Sequence, residues 1–122
     1  MSIDLAVWEG PEPASDKEAV ATFQELYERY IEHEGGTPPT ERIAAYVNTL
    51  LARFPDLTEL DDDAVDDCPW AAGPLMDEAS GPFLYFAMTR NKAAEEAWDF
   101  AVGAARAAGL VCFDPQSERR AA

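Results

Sequence analysis

Six consecutive apolar residues, FLYFAM from Phe83 to Met88, form the longest apolar run in the chain. A membrane-spanning helix needs about 20. The run is also short for a buried helix, and its aromatic and bulky side chains suit a pleated strand. A strand that is apolar on both faces belongs in the interior of a sheet. The rest of the chain therefore has to supply neighbouring strands and covering helices.

Those elements can be read in order. In SIDLAVW, Ile3, Leu5 and Val7 alternate with Ser2, Asp4 and Ala6, a period of two that predicts a first strand over residues 2 to 8. Gly10, Pro11 and Pro13 end it. SDKE, Ser15 to Glu18, has the form of a capping box, and behind it Val20, Phe23, Tyr27, Tyr30 and Ile31 recur at helical spacing. Gly35 or Gly36 should close that helix. Thr37 or Thr40 caps a second, whose stripe is Ile43, Tyr46, Val47, Leu50, Leu51 and Phe54. The short Gly/Pro connection predicts that these two helices lie side by side as an antiparallel pair. A weak edge strand is expected near Trp70 to Met76, because it contains Gly73 and Pro74, with a turn over 77 to 81. The third helix carries Ala94, Ala97, Trp98, Ala101, Val102, Ala105 and Ala108 inward, and Gly109 suits its C-cap. LVCF, Leu110 to Phe113, is the last strand.

The expected fold is α+β, one domain over residues 1–122, in the order β-α-α-β-β-α-β. Taking the helix pair as one unit gives the ferredoxin-like, split-βαβ arrangement, with a sheet of three to four strands and the helices on one face. Omitting the weak strand leaves three. Residues 56–69 read as an acidic loop and 117–122 as a frayed tail.

Composition bears on partners. The chain has 122 residues, enough to bury roughly two-thirds of its unfolded surface. With 48% apolar residues it has the means to fold. Twenty-four acids face nine lysines and arginines, for a net charge of -15. That balance argues against nucleic acid, which demands a basic stripe, and against anionic membranes, and it favours a basic protein partner. The opening MSIDLAVWEG has no basic n-region and holds Asp4 inside its apolar stretch, and the only cysteines are Cys68 and Cys112. Both features predict a cytoplasmic chain with reduced thiols.

No catalytic constellation is legible. His33 is the one histidine and sits in IEHEGG between acids. Cys112 lies in a strand, and Cys68 follows acids that should raise its pKa and blunt its reactivity. No phosphate cradle or nucleophile elbow occurs. LDDDAVDDC, residues 60 to 68, suggests a calcium loop, but counting from Asp61 puts Val65, Asp66 and Ala72 where a ligand, glycine and glutamate belong. No metal and no cofactor are assigned. The candidate partner-binding residues are Asp61, Asp62, Asp63, Asp66 and Asp67, with Trp70 and Trp8 as aromatic anchors if exposed beside the loop. Asp56 and Glu59 belong to the same acidic run.

The opening MSIDLAVWEG, the middle PWAAGPL and ASGPFLYFAM, and the terminal GLVCFDPQS resemble a group of small acidic bacterial proteins, mostly of unassigned function. Several proteins of this appearance are suspected immunity proteins of toxin systems. The resemblance carries no catalytic residues over to this chain. The leading expectation is a non-enzymatic, acidic protein-interaction domain. Two rivals are a small-molecule-binding or enzymatic α+β domain with a helix/sheet cleft, and weak divalent-cation binding by the acidic loop.

Overall fold

The structure, a computed structural model, describes residues 2–32, 37–61, 63, 68–71, 73–89 and 91–121. It is an α+β domain built on a five-stranded antiparallel sheet in the order β2-β3-β1-β4-β5. The strands are β1 (Ser2–Trp8), β2 (Ala79–Ser80), β3 (Phe83–Thr89), β4 (Val111–Asp114) and β5 (Arg119–Arg120). The helices are α1 (Asp16–Tyr27), continued by a π-turn over Glu28–Glu32, α2 (Glu41–Arg53) and α3 (Lys92–Ala107). β1 pairs along its whole length with β3, from Ser2 opposite Thr89 to Trp8 opposite Phe83.

β3 is in the interior of the sheet, as its composition requires, and that has a consequence for the helices. A strand apolar on both faces needs cover on both. On one face Leu5, Val7, Leu84, Phe86, Met88 and Cys112 meet α2 through Ile43, Tyr46, Val47 and Leu50, and α3 through Ala94, Ala97, Ala101 and Ala105. On the other, Ala6, Trp8, Phe83, Val111 and Phe113 meet α1 through Ala19, Val20, Phe23 and Leu26. The expected placement of the helices on one face is therefore corrected: α1 stands opposite α2 and α3. α1 and α2 do not form the expected pair; α2 pairs with α3, where the Tyr46 hydroxyl donates to the Ala101 carbonyl at 2.8 Å.

The chain changes face at the end of the sheet. The amide of Gly81 donates to Thr37 O and the amide of Thr40 to Gly81 O, so residues 37–40 are fastened to the β2–β3 turn. Thr40 then caps α2, its hydroxyl accepting from the Ile43 amide. The expected capping box of α1 forms with one change. Ser15 Oγ accepts from the Glu18 amide at 3.1 Å, but the Glu18 carboxylate accepts from Ala14 rather than from Ser15 itself. Gly109, at φ 72°, takes the left-handed conformation that ends α3.

The described residues of 70–76, which leave out Ala72, do not form a strand. Trp70 makes a single bridge to Met88, flanked by backbone bonds from Ala71 to Ala87 and from Thr89 to Pro69. The chain then leaves the sheet for a 3-10 turn over Leu75–Glu78, and the true edge strand is the short β2. The cause is Asp56. Its carboxylate accepts from the Leu75 amide at 3.0 Å and the Thr58 amide at 3.4 Å, which removes Leu75 from any ladder. Gly73 is needed for this approach, since a Cβ there would stand 2.6 Å from Asp56 Oδ1. The tail, expected to fray from 117, instead turns through an Asp114-capped bend and returns as β5. Arg120 then binds Asp16 and the Pro13 carbonyl.

Candidate interaction surface

The acidic loop divides into parts with different roles. Asp56 is buried and structural, a capping and bridging carboxylate, so it offers nothing to a partner. Glu59, Asp61 and Asp63 are exposed. Asp62, Asp66 and Asp67 lie outside the described residues. Trp8 and Trp70 are corrected as candidate anchors: each is only 1% exposed. Trp8 lies against Phe83 and Phe113, while Trp70 stands edge-on to Phe54 and Phe86 and donates its indole N–H to Phe54 O at 2.9 Å. Neither has surface left for binding.

Exposed carboxylates are not confined to the loop. Glu25 and Glu28 on the α1 side and Glu95, Glu96 and Asp99 on α3 project from opposite faces of the sheet. Four arginines are already engaged with acids: Arg29 with Glu25, Arg42 with Glu9, Arg53 with Glu96 and Arg120 with Asp16, at 3.0 to 3.6 Å. Among the described residues no cluster of histidine, cysteine, aspartate or glutamate has metal-binding geometry. Both cysteines are buried and free. Burial pushes the Cys112 thiol up to about 12, with Asp114 adding to it. Cys68 is raised as well, chiefly by burial and only secondarily by the Asp56 charge. The acid that contributes is Asp56, while Asp66 and Asp67, which precede Cys68 in the sequence, lie outside the described residues.

A second surface was not legible from spacing. One helix crosses the Trp8 face, running from Asp16 beside Arg120 at the β5 edge to Tyr30 beside Gly81 at the β2–β3 turn. It cannot cover the whole face. Beside it an open groove of about 510 Å³ is lined by Phe23, Gln24, Tyr27, Glu28, Tyr85 and Pro115. The rings have defined geometry. Phe23 stacks on Tyr85 with centroids 5.6 Å apart and planes 28° apart. Tyr27 meets Tyr85 edge-on at 5.7 Å and 71°, so the pair makes a corner. The Tyr85 hydroxyl donates to Asp4 Oδ2 at 2.7 Å. Burial, and next this bond, push the Tyr85 pKa up, so it stays a neutral donor at physiological pH. The hydroxyls of Tyr27 and Tyr85 alone do not mark the groove in the sequence, since Tyr46 keeps one bonded inside the closed core.

Two smaller recesses also lie among the described residues. One, of about 200 Å³, lies between Gly10, Glu12, Arg106, Leu110 and Arg120. The other, of about 350 Å³, lies beside Ile3, Trp98 and Asp99. No described helix is long and apolar enough to cross a membrane. Comparison with family models, curated proteins and solved structures finds no match.

Proposed function

We propose that this chain is a non-enzymatic, acidic interaction domain whose partner is a basic protein. The observation that carries the reading is the charge arrangement. Exposed carboxylates project on both sides of the sheet, while Arg29, Arg42, Arg53 and Arg120 are each paired with an acid. The excess of negative charge is therefore presented outward, where it steers a cationic surface into encounter. The narrower form of the proposal, drawn from the sequence resemblance, is an immunity protein that neutralises a basic toxin. The ferredoxin-like description is kept only for the strand order β4-β1-β3-β2, since the helix placement departs from it.

Capture on the immobilised chain from native lysate at physiological salt, with identification by mass spectrometry, tests the reading. It expects one dominant species with an isoelectric point above about 9, released by salt. Association with that species should slow at least ~10-fold between low and physiological ionic strength. The Asp61→Asn/Asp63→Asn double variant should flatten the salt dependence. A dominant partner that is neutral or acidic overturns the proposal.

A second reading, a small-molecule-binding domain, draws on the groove beside α1. Its 510 Å³ falls within the usual span of ligand sites. The groove is open along one side and has few convergent polar groups, which favours a partner's side chain over an enclosed ligand.

A further inference from the structure

We infer that the groove between α1 and β3 is the docking site for an arginine side chain of the basic partner, stacked on the Tyr85 and Tyr27 rings and paired with Glu28. The inference rests on the basic-partner reading above and adds to it a place and a side chain. Cations are drawn to the faces of aromatic rings, and a planar guanidinium also stacks on them, which an ammonium cannot do. Phe23 stacks on one side of the Tyr85 ring, and the Tyr27–Tyr85 corner, with its planes 71° apart, lines the groove. The Tyr85 hydroxyl donates at 2.7 Å to a carboxylate, which shifts electron density into its ring and strengthens the attraction. Glu28 and Gln24 line the helix side of the groove with acceptors for guanidinium N–H groups. Arg29, the cation next in sequence, is drawn away to Glu25 at 3.6 Å, so it does not cancel Glu28. The fold already contains one contact of the kind, with the Arg53 guanidinium carbon 4.4 Å from the centre of the Phe54 ring.

Two equally charged peptides test it, one of alternating arginine and serine, the other of alternating lysine and serine. Both are titrated into the full chain and followed by heteronuclear NMR and fluorescence anisotropy. The arginine peptide should bind ~5-fold or more tightly than the lysine peptide, with the largest shifts at Tyr27, Glu28 and Tyr85. Tyr27→Leu should erase that preference, weakening the arginine peptide far more than the lysine peptide, because the ring is lost while the overall field is intact. Glu28→Gln, a change at an exposed position that leaves the core alone, should halve the preference or more if Tyr27→Leu proves poorly folded. Equal affinity of the two peptides for the unaltered chain overturns the groove assignment and leaves the basic-partner reading standing. Absence of binding by either peptide at low salt overturns both. Competition by free argininamide as effective, group for group, as the peptide overturns docking in favour of a small-molecule site.

Discussion

The two faces of the sheet are covered by different means. On one, α2 and α3 lie together over an aliphatic surface, and the small side chains of Ala94, Ala97, Ala101 and Ala105 let α3 approach closely. On the other, α1 alone crosses an aromatic surface of Trp8, Phe83, Tyr85 and Phe113. A pair of helices about 10 Å in diameter can tile a sheet of this width, whereas one cannot. The first face is a closed core. The second is a core at its centre and an accessible aromatic groove at its flank. One fold thus separates stability from recognition, and substitutions on the two sides should behave differently.

The largest expected effect is at Trp70, which seals the closed side between Phe54 and Phe86. Trp70→Ala removes a fully buried ring and leaves the Phe54 carbonyl without its donor. It should cost about 3–5 kcal/mol in urea unfolding. A cost near that of a surface substitution would mean that this side is not closed. Next comes Ala101→Leu. Added methylenes have no room where Ala101 sits under α2 with Tyr46 bonded to its carbonyl, so about 1–3 kcal/mol should be lost. The matched change on the open side, Gln24→Leu, should stay within about 0.5 kcal/mol, because that side chain is exposed at the groove rim. Equal costs at the two positions would erase the distinction between the faces.

Much of the closed side could be read from the sequence, because it is written in periodicities. Ile3, Leu5 and Val7 at period two, the α2 stripe and the α3 alanines all point to that face. The open side was hidden by the same rule. Alternation in β1 marked Asp4 and Ala6 as the outward row, yet Ala6 and Trp8 on that row are buried under α1. A helical stripe in α1 says that one side is apolar, not which face of a sheet it meets. That choice is made by the backbone bonds of Thr37 and Thr40 to Gly81, which carry α2 to the opposite face and which no local pattern announces. Asp56 was hidden for another reason. It is one acid in a run of acids, and only its burial against the Leu75 amide separates it from the solvated ones. The tyrosines of the groove looked like core for want of any signal about where α1 stops covering the sheet.

The smallest expected effect concerns how α1 is held on the open face at its first turn. The Arg120 amide donates to Asp16 Oδ1 at 3.1 Å and the guanidinium Nε to the same oxygen at 3.0 Å. The backbone bond, then the side-chain bond, hold the Asp16 carboxyl below its ordinary 3.8. A carboxylate whose folded pKa is lowered stabilises the fold fully above its unfolded pKa, and that contribution is lost as pH falls through the lowered folded value. Asp16 is exposed, so the effect is screened and belongs at the small end. Arg120→Ala removes the guanidinium but keeps the amide. An NMR titration of the Asp16 carboxyl should therefore show its midpoint moving upward without reaching 3.8, and the acid limb of the stability curve should flatten slightly. A midpoint unmoved by the substitution would assign the whole anchor to the β5 backbone. A full return to the ordinary value would mean that β5 itself had come away from α1.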